Sequence, residues 1–376
     1  MKIVYVSDSI YPYNKGGKEK RLYEISTRLA SMGHEVHIYT MHWWKSTETS
    51  RLEDGVHLHA ISKYYPLYKD GGDRRSIKEG VLFGLACLRL FRVKFDVLDV
   101  DHMPFFPIYA AWFVCILRGR RRQFYGTWHE ALNRKDWIRY MGIAGNIASV
   151  IERVSIHLPY MVTAASPHTQ RLIKSELNRK KRVALVTSGI DLDMISHIKP
   201  ARVRCDVLYA GRLVKDKNVD VLVEAIALIA ASYPKIRCTI IGHGIEKDNI
   251  AEKIKQLGMI KNISLLAPLT ESRDVYAYMQ AAKVFCLPSV REGFGIVALE
   301  ALACGTPVVT TNAAANAAKD LITDGGNGSV VALGPITFAV SLQEWVMSPR
   351  KKHIRGKAEG YGWGALASTQ AEVYAL

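Results

Sequence analysis

The stretch VFCLPSVREGFGIVALEALACGTPVVTT, residues 284–311, holds the fold in miniature. Apolar strand-like runs, VFCLPS and PVVTT, flank a helical segment that follows the turn Gly293-Phe294-Gly295. Strands without polar alternation belong to parallel sheets covered on both faces, and a strand–helix–strand unit is the crossover that builds them. Two carboxylates interrupt the apolar run, Glu292 at the mouth of the helix and Glu300 within it. Carboxylates are rarely buried without a partner, so this pair calls for one.

The same alternation extends outward. Strand-like KIVYVSD (2–8) precedes a helical run at 18–33, and EVHIYT, DVLDV (96–100), RQFYGTW (122–128), YMVTAAS (160–166) and VALVTSG (183–189) follow. A polar, basic connection at 191–204 separates these from a second series: DVLYAG (206–211), a helix at 218–233, CTIIG, ISLLA, VFCLPS and PVVTT. With roughly 100–200 residues per domain, 376 residues divide into two. The expectation is an α/β chain of two doubly wound parallel-sheet, Rossmann-like domains, 1–190 and 191–361, facing a central cleft. Ligands in such sheets lie beyond the carboxyl ends of the strands.

Charge is distributed unevenly. Lys and Arg exceed Asp and Glu by 30 to 17 up to Arg182 and by 21 to 18 beyond it, which gives the net +16. A basic N-terminal half suits an anionic partner: lipid headgroups, nucleic acid or a phosphorylated substrate. None of the six cysteines forms a C-x-x-C pair, so they read as reduced core residues of a cytosolic protein. The N-terminus enters a strand with no signal-peptide pattern. The longest uncharged apolar run, 103–117, falls short of the about 20 residues that span a bilayer.

Candidate site residues sit at strand ends. YAGRLVKDKN (209–218) places Arg212 and Lys217 between a strand and a helix, where two cations suit a diphosphate. Gly16-Gly17 precedes a helix and permits close backbone approach to a phosphate, although a plain loop reads equally well. Gly242 and Gly244 follow another strand, and His243 between them either lines the site or caps the helix. His129, just past a strand, suits a substrate hydroxyl, with a satisfied core histidine as the alternative. His102 is placed similarly, and Asp99-x-Asp101, on one face of a strand end, has the form of a metal-binding pair, although no metal is assigned to it.

These motifs together resemble the retaining glycosyltransferases of family 4, group 1, which have the GT-B fold and include phosphatidylinositol mannosyltransferase-like enzymes. The resemblance covers nearly the whole chain. It rests on YPYNKGGKEKRLYEISTRLASMGHEVHIYT, GTWHE, TSGID, YAGRLVKDKNVDVLVEAI, IGHG and above all the Glu-x7-Glu signature from Glu292 to Glu300. It implies transfer of a hexose from a UDP- or GDP-sugar with retained configuration and no metal or other cofactor in the chemistry. By family pattern Arg212 and Lys217 hold the diphosphate. Glu300 holds the ribose and Glu292 the sugar hydroxyls. Backbone N–H groups at Gly293, Phe294, Gly295 and Ile296 help grip the donor, with Gly16, Gly17, Gly242 and His243 nearby. His129 sits near the sugar and the acceptor. The ending at 362–376 resembles the family's closing helix, which completes the N-terminal, acceptor-side domain. One departure stands out: NAAANAAKD (312–320) lacks the usual glycine pair and following glutamate.

Two basic apolar segments, GLACLRLFRVKF (84–95) and AAWFVCILRGRRRQF (110–124), point to peripheral attachment at an anionic membrane and a lipid-linked or phosphorylated acceptor. Core-facing helices with basic ends are the competing reading. Competing functions are a nucleotide-sugar epimerase on the same fold and a basic nucleic-acid-binding protein. The latter lacks a visible aromatic-and-basic stripe or reading helix.

Overall fold

The computed structural model describes residues 1–68, 75–348 and 353–376. They divide into two compact units, Met1–Gly189 with Trp363–Leu376, and Ile190–Gly362.

The first unit holds an eight-stranded sheet. Its strands are β1 (Lys2–Val6), β2 (Glu35–Met41), β3 (Ser50–Glu53), β4 (Val56–Ser62), β5 (Val97–Asp101), β6 (Phe124–Trp128), β7 (Met161–Ala164) and β8 (Val183–Leu185). The order is β3-β4-β2-β1-β5-β6-β7-β8, parallel throughout except for the β3–β4 hairpin. That hairpin turns at Asp54-Gly55, whose φ values of 48° and 79° suit the right-handed twist of the strands. Around the sheet lie α1 (Gly17–Ser31), α2 (Ile77–Ala86), α3 (Phe106–Leu117), α4 (Arg134–Met141), α5 (Gly145–Ser155) and α6 (Pro167–Leu172). Side chains cap several of them: Ser76 accepts from the Glu79 N–H, Asn133 from Asp136 and Ser166 from Thr169.

The second unit holds six parallel strands, β9 (Val207–Ala210), β10 (Cys238–Ile241), β11 (Ile263–Leu266), β12 (Val284–Leu287), β13 (Val308–Thr311) and β14 (Gly328–Val331). Their order is β11-β10-β9-β12-β13-β14. Its helices are α7 (Leu192–Ser196), within the expected linker, α8 (Val219–Ser232), α9 (Lys247–Gln256), α10 (Ser272–Ala281), α11 (Ile296–Ala303) and α12 (Pro335–Met347). The final helix α13 (Trp363–Ala375) packs in the first unit. There the buried Tyr374 hydroxyl donates to Asp99 at 2.5 Å, and Arg21 of α1 reaches the Val186 carbonyl at 2.8 Å. Strand order reverses at β1/β5 and at β9/β12, so the carboxyl ends of those strands mark the crevices. All six cysteines are buried and unbridged. Among the described residues no helix is long and apolar enough to cross a membrane.

A buried carboxyl locks α4 to α5. The Trp137 indole N–H donates to Glu152 Oε2 at 2.5 Å, and Glu152 is 1% exposed. Burial pushes the Glu152 carboxyl up to about 8, despite the hydrogen bond from Trp137. A raised carboxyl stabilises the fold fully below its unfolded value and loses that contribution as pH rises towards 8, at about 1.4 kcal/mol per pH unit. Glutamine reproduces the neutral acceptor without titrating. Glu152→Gln is therefore expected to melt like the wild type near pH 4.5 and increasingly above it from pH 5.5 to 8, as thermal denaturation across that range measures.

Candidate active site

In the second unit the loops after β9, β10 and β12 converge. After β9, Tyr209 donates its hydroxyl to the Arg212 carbonyl at 2.8 Å and fixes the turn. The Arg212 guanidinium is exposed and makes no ion pair or hydrogen bond among the described residues. Asn218 closes the loop in the left-handed region, at φ 45° and ψ 44°. A non-glycine residue persists there only where its surroundings dictate it. Here the Asn218 amide donates to the Pro288 carbonyl at 3.1 Å and to Asp216, tying the β9 loop to the β12 loop. The result is an ion pair between Lys217 Nζ and Glu292 Oε1 at 2.6 Å, mostly buried on both sides. Lys217 and Glu292, expected to grip separate parts of a ligand, thus grip each other.

Gly242 and its neighbours serve the same convergence. A Cβ on Gly242 would stand 2.0 Å from the Gly211 carbonyl oxygen. The Leu213 N–H donates to the His243 carbonyl at 2.8 Å. The His243 side chain is exposed, and the residue before α9 is Glu246, so His243 is not a helix cap.

Gly295, at φ 85°, turns the chain into α11, with Phe294 buried against Tyr361 and Gly293 and Ile296 half-buried. The first N–H groups of a helix have no partner within it. One face of α11 carries Glu300, 9% exposed, which accepts from the Tyr276 hydroxyl at 2.7 Å. Tyr276 was not singled out in the sequence, where it lies 24 residues away. The segment 312–320 abuts Glu292 on both sides: the Glu292 N–H donates to the Ala315 carbonyl and the Ala317 N–H to the Glu292 carbonyl, each at 3.0 Å. Fully buried Asn316 holds this segment, donating to Thr310 Oγ1 and the Thr311 carbonyl at 2.9 Å.

His129, Gly16 and Gly17 belong to the first unit. His129 Nε2 lies 2.7 Å from Asp101 Oδ1, and Lys18 stands 3.5 Å from the other Asp101 oxygen and beside Asp8. Burial alone would raise Asp101, but Lys18 and His129 hold its carboxyl well below the usual range. Its neighbour Asp99 moves the opposite way, up to about 6, because burial outweighs the hydrogen bonds from Tyr374 and Thr127. The Asp-x-Asp pair is thus divided, Asp99 to the packing of α13 and Asp101 to the His129 cluster. Burial drives His102 down to about 3, and its ring stacks on Trp128. Gly16 precedes α1, and a Cβ there would meet the Glu19 carboxylate at 2.2 Å. Gly17 is the first residue of α1. Lys18, Asp8 and Arg75, which pairs with Asp8, were not read from sequence.

Two parallel-sheet units of these strand orders, with their polar loops at the strand ends, define the GT-B glycosyltransferase fold. The model for Glycosyltransferase Family 4 matches residues 15–194, and that for Glycosyl transferases group 1 matches 203–359. The chain belongs to this family. The D-inositol 3-phosphate glycosyltransferase of Kribbella flavida is 31% identical over 217 residues, 51% of this chain and 50% of that protein. The chain spans about half the length of such curated relatives. Among solved structures, sucrose-phosphate synthase from Thermosynechococcus elongatus matches with a TM-score of 0.79 at 17% identity, over 99% of this chain and 98% of that one. HepE of Anabaena, solved in complex with UDP and glucose, matches with a TM-score of 0.72 at 15% identity, over 100% and 99%.

Proposed function

We propose that this chain is a retaining, metal-independent glycosyltransferase that moves a hexose from a nucleoside diphosphate sugar to an acceptor hydroxyl. The observation that carries this is the exposed Arg212 guanidinium, unpaired among the described residues, in the loop cross-tied to the Lys217–Glu292 pair and the mouth of α11. When the glycosidic bond of the donor breaks, negative charge grows on the β-phosphate. Arg212 meets it with a two-pronged fork, Lys217 with a point charge and the α11 N–H groups with their dipoles. These groups supply the charge stabilisation that a divalent metal provides in other transferases. Glu292 accepts from the sugar hydroxyls and Glu300, steadied by Tyr276, from the ribose diol.

His129 Nε2 lies against Asp101, and with a proton on that nitrogen its Nδ1 would accept from a substrate hydroxyl and orient it. No carboxylate is assigned as nucleophile. The departing phosphate takes the acceptor's proton on the same face, which retains configuration. The UDP complex of HepE supports a uridine nucleotide. The name of the inositol-phosphate relatives supports a phosphorylated acceptor.

Attachment to the inner face of an anionic membrane is part of this reading. Leu85 of α2, Leu88 and Phe91 beyond it, and Phe113, Ile116 and Leu117 of α3 are all exposed beside Arg89, Arg92, Arg121 and Arg122. Their exposure favours a surface role over a core-facing one.

The test is thermal shift with UDP-, GDP- and ADP-sugars on the wild type and Arg212→Ala, followed by acceptor assays with and without chelator and NMR of the product anomer. Stabilisation of the wild type alone, chelator-resistant turnover and a retained anomer are expected. No nucleotide response, an inverted product, or epimerised donor without acceptor overturns the proposal.

A further inference from the structure

Beyond the α2–α3 face, the α4–α5 hairpin presents an apolar edge left uncovered among the described residues. Ile143, Ile147, Val150 and Val154 are 89%, 67%, 61% and 45% exposed. Their spacing of four, three and four residues aligns them in one stripe down the hairpin tip and α5. Exposed Ile138 of α4 adds to it. The opposite face of α5 is committed to the fold. Ala148, Glu152 and Ser155 are buried there, and the Tyr109 hydroxyl of α3 donates to the Ile151 carbonyl at 2.9 Å. The stripe is therefore held rigidly outward and is not a core face awaiting closure.

The exposed charges of the hairpin itself have one sign. Between residues 133 and 155 the exposed charged side chains are Arg134, Lys135, Arg139 and Arg153. The two carboxylates of this stretch are withdrawn, Asp136 half-buried and Glu152 buried on Trp137. Beyond the hairpin, Arg153 donates to the carbonyl of exposed Glu176 at 3.0 Å, which leaves cations in the majority. An aliphatic stripe flanked mainly by cations is the pattern of a helix that lies in the interface of an anionic bilayer. A second copy of this chain is a poor occupant, because symmetric pairing would oppose these cations to one another in a chain of net charge +16. A folded protein partner would need polar groups to match across the stripe, and none is offered between Ile143 and Ile147 except the half-buried Asn146.

We infer that the α4–α5 hairpin is a lipid-docking element in its own right, seating Ile143, Ile147 and Val150 among the acyl chains of an anionic bilayer while Arg134, Lys135, Arg139 and Arg153 meet its phosphates. The contact extends the membrane attachment proposed above and is independent of the donor chemistry.

Flotation of the full chain with phosphatidylcholine vesicles, with and without phosphatidylglycerol, tests it. Three proteins are compared: wild type, Ile143→Ser/Ile147→Ser, and Leu85→Ser/Phe113→Ser. The wild type is expected to float with the anionic vesicles at low salt and to be released by high salt. The Ile143/Ile147 variant should bind about tenfold or more weakly, from the lost burial of two aliphatic side chains. All substituted positions are exposed, and an unchanged melting temperature and nucleotide response in each variant confirms an intact fold. Wild-type binding by the Ile143/Ile147 variant overturns the inference, as does failure of the wild type to float at low salt. Loss confined to the Leu85/Phe113 variant overturns it and leaves α2–α3 as the docking face. Self-association without lipid that the Ile143/Ile147 substitutions abolish identifies a protein interface and overturns it too.

Discussion

Arg212→Ala is expected to lower kcat by about 10²–10³-fold while leaving the melting temperature of the ligand-free protein unchanged. The two halves of this expectation have separate origins. Removal of one preorganised donor to charge that develops in the transition state costs about 3–4 kcal/mol of barrier. The fold loses nothing comparable, because the exposed guanidinium makes no ion pair or hydrogen bond among the described residues. Arg212→Lys keeps the charge but not the fork, so it should recover only part of the rate. Lys217→Ala provides the contrast. It leaves Glu292 a mostly buried carboxylate without its 2.6 Å partner, and so should lower both rate and stability, the latter by about 1–3 kcal/mol. Lys217→Ala with Glu292→Gln should regain much of that stability and none of the rate. Steady-state kinetics and melting curves on these four proteins give the answer. Full activity in Arg212→Ala would remove the diphosphate from this loop.

The Lys217–Glu292 pair also clarifies the two glutamates of the opening stretch. Without donor, Glu292 neutralises Lys217, and a bound diphosphate would share that cation. Glu300 is oriented by Tyr276 instead. Two carboxylates eight positions apart therefore answer to different partners.

What sequence made legible here were local properties. Continuous apolar runs revealed the parallel strands, since burial on both faces leaves no room for polar alternation. Glycines and cations at strand ends marked the loops that converge. Pairings between distant positions left no local trace: Lys217 with Glu292 is 75 residues apart and Asp101 with His129 is 28. Such pairs exist only once strand order has brought the loops together. The β3–β4 hairpin carried a readable turn signal in Asp54-Gly55, but β3 has four residues and β4, VHLHAIS, alternates with histidines, so neither stood out beside the continuous apolar strands. The α4–α5 edge was illegible for another reason. Residues 134–155 mix apolar and basic positions in helical rhythm, and that rhythm does not say which of two apolar faces the core will claim. Glu152 with Trp137 settles it by burying the opposite side.

Gly295→Ala should destabilise the second unit strongly. Two independent penalties act at once. The backbone at φ 85° and ψ 48° lies in the left-handed region, where a Cβ costs about 1–2 kcal/mol. The new Cβ would also stand 2.4 Å from the Ala318 Cβ and 2.9 Å from its Cα. No rotamer relieves a clash with a backbone atom, so either the mouth of α11 or the turn at 317–321 must shift, at about 1–3 kcal/mol more. The sum, about 3 kcal/mol, lowers the melting temperature of a unit of this size by roughly 6–12 °C. Ala318→Gly beneath it removes one of the two contacts and should restore part of the loss, whereas the backbone term remains. Because Ala317 and Glu292 share a backbone hydrogen bond, movement of that turn also pulls on the carboxylate that faces Lys217. Donor binding should therefore weaken in Gly295→Ala even at temperatures where the unit is folded, which isothermal titration with nucleotide can detect. Wild-type affinity and melting in Gly295→Ala would mean that the turn at 317–321 yields freely, and that Gly295 does not serve packing here.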